Sequence, residues 1–311
     1  MSTESSVTVL PTVSIPSLRD GPQVLWLLAF LAGMDGAILA FSDFQVAPRT
    51  VLLILGASLL ALLLAWFYGL RRPEPRIAGM AWSGARLVLF LLLAGLWDTF
   101  LTGLYPLPWR DGDLSAADHW LGLHWLPMYA WLHAHPLLLQ ASWFFYGSLG
   151  MELLAILFLL NHRSLFGDSD EFFWGVALTA LATIVIGILL PAAGAFVHYH
   201  LPIAGHTGYV AQMAALRDGA LRDIHVSQGQ GLVTFPSFHA SLACLCAYAA
   251  RHLRRWWPFA LLWNLLVIAS APADGGHYFV DILAGILLAL AVIALIRRLR
   301  SGPSLPLARN G

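Results

Sequence analysis

The 311-residue chain contains no lysine; all 17 of its basic residues are arginine, set against 17 acidic residues. Any motif that needs a lysine is excluded, and a formal net charge of zero leaves no global electrostatic case for a nucleic-acid partner. Charge is scarce altogether, at 11% of residues, whereas 59% are hydrophobic and the mean hydropathy is +0.73. That balance excludes an ordinary soluble globule and indicates a polytopic membrane protein. Cysteine is nearly absent. Cys244 and Cys246 stand two apart in an apolar run and point to different helix faces, which argues for small core residues rather than a disulfide or a metal pair. Residues 1–23, rich in Ser, Thr and Pro and lacking a basic n-region, read as a disordered cytoplasmic tail rather than a cleaved signal. Residues 299–311 read as a second cytoplasmic tail.

What is present is a series of apolar runs of the roughly 17–25 residues that cross a bilayer. They cover residues 24–41, 51–69, 85–104, 136–160, 172–197, 235–253, 257–274 and 277–297. The expected fold is therefore an all-α polytopic membrane protein of about eight transmembrane helices. Two additional N-terminal helices (24–84) precede a six-helix catalytic membrane domain (85–298). Arg71, Arg72, Arg76 and Arg86 fall between spans two and three; Arg251, Arg254 and Arg255 between six and seven; Arg297, Arg298 and Arg300 after span eight. With eight spans these clusters share one side, which the positive-inside rule makes cytoplasmic. Ten histidines, His119, His124, His133, His135, His198, His200, His206, His225, His239 and His277, then face outward. The expected address is a bacterial inner membrane, with the chemistry facing the periplasm or exterior. Residues 105–135 hold Trp109, Trp120, Trp125, Trp131 and Tyr129, aromatics that collect at headgroup depth, and read as a helix lying on the outer leaflet. Residues 198–234 read as a lid or substrate-binding loop.

Two histidines carry the functional reading. His239 stands in Phe235-Pro236-Ser237-Phe238-His239-Ala240-Ser241, and His277 in Gly275-Gly276-His277-Tyr278-Phe279-Val280-Asp281. Each opens a long apolar run, so each is expected where a helix meets water at the same membrane surface. Asp281 follows His277 by four residues, on one helical face and within reach of the imidazole. A carboxylate in an apolar helix is costly unless paired, and an Asp–His hydrogen bond fixes the tautomer and leaves the other nitrogen free to attack. This arrangement suits phosphoryl transfer through a covalent phosphohistidine. Pro236 fits the first turn of a helix, where the free amides and Ser237 offer a resting place for an anion. Gly285, one turn beyond Asp281, permits close helix contact.

These motifs resemble the second and third signatures of the type 2 phosphatidic acid phosphatase superfamily, usually Pro-Ser-Gly-His and Ser-Arg-x5-His-x3-Asp. The resemblance implies that His277 is the nucleophile, that Asp281 orients it, and that His239 protonates the leaving oxygen. It also implies a six-helix core with no cofactor and no metal. Three departures stand out. The first signature, Lys-x6-Arg-Pro, is impossible without lysine; Ala271 follows Ser270 where Arg is usual; and Phe238 replaces the Gly of the second signature. That pattern is more similar to the inositol phosphorylceramide synthase and sphingomyelin synthase branch, which often reads Pro-Ser-x-His-Ala and Gly-His-Tyr-x-x-Asp. Members of that branch move a phosphate-bearing head group between lipids.

Phosphate charge has to be balanced. The outer-side arginines nearest the first motif are Arg217 and Arg222; Arg217 is favoured because Asp218-Gly219 suggests a turn that aims it, although each Arg also has an adjacent Asp to pair with. Asp274 is a candidate for contact with an acceptor hydroxyl or for a helix cap. Asp98 is a candidate wall residue of a lipid cavity, while Asp35 and Glu152 read as interhelical hydrogen-bonding groups. His198, His200 and His206 have metal-compatible spacings, but no carboxylate or Cys completes a set, and substrate contact or plain loop histidines fit them better. The expected activity is that of a lipid phosphatase or head-group phosphotransferase on a lipid phosphate or phosphodiester, with water, a polyol or a lipid alcohol as acceptor. The partners are that lipid and the bilayer. The rivals are a lipid transporter or flippase, for which no internal repeat is visible, and an inactive lipid-binding scaffold.

Overall fold

The computed structural model describes residues 21–201, 207–225 and 231–301. Most of both expected tails, and His206, lie outside the described residues. The protein is 79% helical, with twelve helices among the described residues. These are α1 (Gly21–Phe41), α2 (Pro48–Trp66), α3 (Pro75–Leu104), α4 (Asp111–Trp120), α5 (Trp125–His133), α6 (Pro136–His162), α7 (Phe166–Leu189), α8 (Ala195–His198), α9 (Thr207–Arg217), α10 (Phe238–Ala249), α11 (Trp257–Asp274) and α12 (Phe279–Ser301). Prolines open α2, α3, α6 and α11, where the missing N–H has no intrahelical partner to lose.

Among the described residues six segments are long and apolar enough to cross a membrane: Gly21–Phe41, Pro48–Arg71, Pro75–Leu104, Pro136–His162, Phe166–Leu189 and Phe279–Arg300. The sixth expected span comes out shorter. Where 235–253 was expected, α10 has 12 residues and closes in a 3-10 turn over Ala250–His252. At 1.5 Å per residue α10 extends about 18 Å, short of the roughly 30 Å hydrocarbon layer. Helix α11 has 18 residues with Pro272 inside it. The fifth expected span, 172–197, shifts to Phe166–Leu189, because Pro191 cannot continue a helix. Helix α3 runs unbroken through residues 84 and 85, where the N-terminal pair was expected to end.

Arg86 also departs from expectation. It is not a loop arginine: it lies within α3 at 1% exposure, 2.5 Å from Asp170 of α7, with Ser83 and the Ser169 carbonyl as further acceptors. At this end of the bundle Arg251 and Arg300 both reach Glu171, and Arg76 donates to Ser164. The three arginine clusters therefore gather at one end of the helices, since α7 starts there while α10 and α12 finish there. His239 and His277 open α10 and α12, which puts them at the other end.

The main core joins Phe90 of α3, Leu160 of α6, Phe173 and Val176 of α7, Leu245 of α10 and Ala289 of α12. Helices α1 and α2 pack on α3. Their connection forms a short strand, β1 (Gln45–Val46), parallel to β2 (Asp223–Ile224). That pairing, with Phe44 packed on Phe100 at 5.1 Å, ties the N-terminal pair to the histidine end.

Candidate active site

The two histidine motifs are joined backbone to backbone. Ser237 caps α10 by accepting the Ala240 N–H at 3.3 Å, and its own N–H donates to the Asp281 carbonyl at 3.0 Å. The Ser241 hydroxyl, 3.0 Å from the Ser237 carbonyl, also donates to the Gly285 carbonyl at 2.8 Å. Gly285 is what lets α12 come so close: a Cβ there would fall 2.3 Å from the Ser237 carbonyl oxygen. Gly285→Ala must push the helices apart, at a cost of about 1–3 kcal/mol for overpacking. A fall in thermal unfolding temperature together with lower turnover is expected; an unchanged melting temperature would show that this crossing carries no strain.

His277 is 4% exposed and Asp281 is fully buried. His277 Nδ1 lies 3.5 Å from Asp281 Oδ2, and the Thr234 carbonyl also lies against the imidazole. Asp281 Oδ2 accepts the Tyr278 N–H at 2.9 Å, so this carboxylate caps its own helix while facing His277. The ring centroids of His239 and His277 are 6.5 Å apart, close enough for both to contact one phosphoryl group. Both rings line a cavity of about 640 Å³ walled by α3, α7, the start of α10 and residues 231–234. Its walls include Leu91, Leu92 and Gly95 of α3 and Ala180 and Ile184 of α7, so the cavity is apolar below the histidines.

The other expected site residues divide into two groups. Asp98 and Asp274 line the cavity. Asp98 accepts the Leu232 N–H at 3.3 Å, and Asp274, the last residue of α11, accepts a hydrogen bond from Ser142. The side chain of Ser237 is spent on its cap. Arg217 stacks 3.8 Å over Trp109 and donates to the Leu107 carbonyl, in a small cleft on the far side of residues 232–234. Partial burial lowers its pKa, opposed by Asp218. Arg222 lies over Phe44 and donates to the carbonyls of Leu216 and Leu221. His198 packs edge-on against Tyr199 and Tyr278, and His200 holds a positive φ of 52°. Neither arginine and neither of these histidines is among the cavity-lining residues. No group of three or more His, Cys, Asp or Glu side chains arranged for a metal ion occurs among the described residues.

Several residues around the site carry no local signal in the sequence. Tyr146 of α6 stacks on His239. Both oxygens of Asp118 in α4 cap α12, accepting the Phe279 and Val280 N–H groups at 2.9 and 2.8 Å. Burial raises the Asp118 pKa, while those two donors and His119 pull it down. Asp111 accepts the N–H groups of Ala193 and Gly194 and the Tyr278 hydroxyl. The Trp125 indole donates to the His277 carbonyl at 3.0 Å. Gly276, at φ +63°, completes the turn, because a Cβ there would strike Phe196. The expected helix over 105–135 is thus two short helices, α4 and α5, and α4 holds the backbone that presents His277.

Fold and site together define an all-α polytopic membrane protein with two facing imidazoles, one backed by a carboxylate, on the wall of a cavity at one end of the bundle. Residues 112–295, more than half of the chain, match the family model of the PAP2 superfamily, and the chain belongs to that superfamily. Membership supports a lipid phosphatase or phosphotransferase type of activity. No curated protein and no solved structure matches the chain. The matched stretch begins after α3, although α3 forms one wall of the cavity.

Proposed function

We propose that the protein is a membrane phosphotransferase that moves a phosphate-bearing head group from a lipid phosphodiester to an alcohol acceptor, through a phosphohistidine on His277. The observation that carries this reading is the meeting of His239 and His277 on one cavity wall, with Asp281 behind His277. In the first step the free imidazole nitrogen of His277 bonds to phosphorus. The bond from phosphorus to the lipid oxygen breaks, and His239 gives that oxygen a proton. In the second step His239 takes the proton of the acceptor hydroxyl, whose oxygen displaces His277 from phosphorus. Asp281 holds the imidazole and stabilises its cationic forms.

A phosphodiester is favoured over a phosphomonoester by charge. Among the described residues the formally charged side chains lining the cavity are the carboxylates of Asp98 and Asp274. Beside them a dianionic monoester meets more repulsion than a diester, which carries one negative charge. The carboxylates suit hydroxyl donors, in keeping with an inositol-phosphate-type head group or a polyol acceptor. The apolar lower walls suit the start of an acyl chain. The arginines at the opposite end support a site on the outer face of the membrane with both termini cytoplasmic, the arrangement expected in a bacterial inner membrane.

The test is incubation of purified protein in detergent with phosphate-labelled phosphatidylinositol, phosphatidic acid, phosphatidylglycerol phosphate and undecaprenyl pyrophosphate, each with and without inositol or ceramide. Label on His277 that passes to the added alcohol is expected, with phosphatidylinositol preferred and chelators without effect. Release of free phosphate from the monoesters alone would make the protein a phosphatase. No label and no product across the panel would overturn the enzymatic reading.

A further inference from the structure

We propose that Tyr146 is a positioning residue for His239, holding the Nδ1–H of its imidazole so that Nε2 is the nitrogen that moves the proton. The inference rests on the phosphotransfer reading of the histidine pair and adds a residue that neither motif contains. Tyr146 lies on α6, 93 residues before His239. Its ring stacks on the imidazole with centroids 4.3 Å apart and planes within 11°. Its hydroxyl is 3.4 Å from His239 Nδ1, a loose contact of the kind that tightens when a catalytic site is occupied. Both residues line the cavity. Among the described residues the Tyr146 hydroxyl is the one hydrogen-bond partner shown for the His239 ring. Gly275 makes room for it, because a Cβ there would lie 2.7 Å from that hydroxyl and 2.6 Å from His277 Cδ2. The phenol thus occupies the corner between the two histidines.

The chemistry explains why one histidine is backed by a carboxylate and the other by a phenol. His277 becomes cationic when it bonds phosphorus, and a carboxylate favours that state. His239 must give up a proton and later regain one, so a full charge beside it would bias it toward one form. A phenol, with a pKa near 10, stays neutral throughout. As acid, the imidazolium donates Nδ1–H to the Tyr146 oxygen and passes Nε2–H to the leaving oxygen. The neutral ring that remains keeps Nδ1–H on Tyr146 and presents its Nε2 lone pair to the acceptor hydroxyl. Tyr146 keeps its own proton in both steps, and stacking stops the ring from turning away.

Tyr146→Phe keeps the stack and removes the hydroxyl; Tyr146→Leu removes both. In full-length protein in detergent, Tyr146→Phe is expected to lower kcat by roughly tenfold, at the low end of what acid–base catalysis contributes, with KM within about twofold. The limb of the pH profile that reports His239 should move. In a His239→Ala background the same change should have no further effect, because the two residues act as one unit. Nitrogen-15 spectra of histidine-labelled protein should show His239 as the Nδ1–H tautomer, and a mixture in Tyr146→Phe. Tyr146→Phe with unaltered kcat, pH profile and nitrogen shifts would overturn the proposal, as would an additive loss in the His239→Ala background. Should the unaltered protein turn over none of the lipids, the phosphotransfer reading fails, while the nitrogen shifts still decide whether Tyr146 sets the tautomer.

Discussion

His277→Ala protein is expected to fold and to lose turnover by on the order of 10^4-fold or more, the scale seen when a covalent nucleophile is removed. Three observations indicate that the fold survives. The His277 carbonyl, which accepts from Trp125, is kept by any residue at this position. Asp118 still caps α12 through the N–H groups of Phe279 and Val280. Asp281 still accepts from the Tyr278 N–H. What disappears is the nitrogen that bonds phosphorus. Turnover of a labelled phospholipid, measured beside thermal unfolding, checks this. Activity within about tenfold of the unaltered protein would end the phosphohistidine mechanism, and a large drop in melting temperature would move the residue from chemistry to structure.

The second large effect belongs to Asp281→Asn, expected to lower kcat by about 10^2–10^4, the range over which loss of the orienting carboxylate acts in comparable triads. The substitution nearly preserves shape. Asparagine Oδ1 can still accept the Tyr278 N–H, and the backbone carbonyl still accepts from Ser237. Because the one oxygen, Oδ2, both accepts the Tyr278 N–H and faces His277 Nδ1, an asparagine that keeps the cap turns a neutral oxygen to the imidazole and removes the charge that stabilises the cationic ring. The phosphoenzyme trapped from this variant should carry its label on the same histidine but form more slowly. An Asp281→Asn protein as fast as the original would mean that the carboxylate serves only the helix cap.

The histidine motifs were legible because their geometry is local. His277 and Asp281 are one helical turn apart, and each histidine stands at the first residues of an apolar run. The same locality made Ser237 readable as a helix-start residue, where it is the cap. Arg86 was grouped with the loop arginines although it is the second residue of the 85–104 run, and its burial follows from Asp170, 84 positions away. The segment around α10 was read as a full span because hydrophobicity reports solvent preference and not length, whereas α11 covers the expected residues 257–274. Helix α10 starts only after Ser237 and passes into a 3-10 turn after Ala249.

The amino-acid sequence by itself determined the medium and the candidate site groups: an apolar composition that needs a bilayer, and two helix-start imidazoles with a carboxylate one turn behind one of them. Those properties depend on residue type and on neighbours within four positions. The tertiary structure alone decided which groups surround them. The Asp118 cap on α12 spans 161 and 162 residues, the Asp111 contact with Tyr278 spans 167, and the Tyr146 contact with His239 spans 93. It also turned Arg217 onto Trp109 and away from the cavity. No local periodicity encodes such pairings, because each exists only once separate helices have packed and their buried polar groups have to find partners across the bundle.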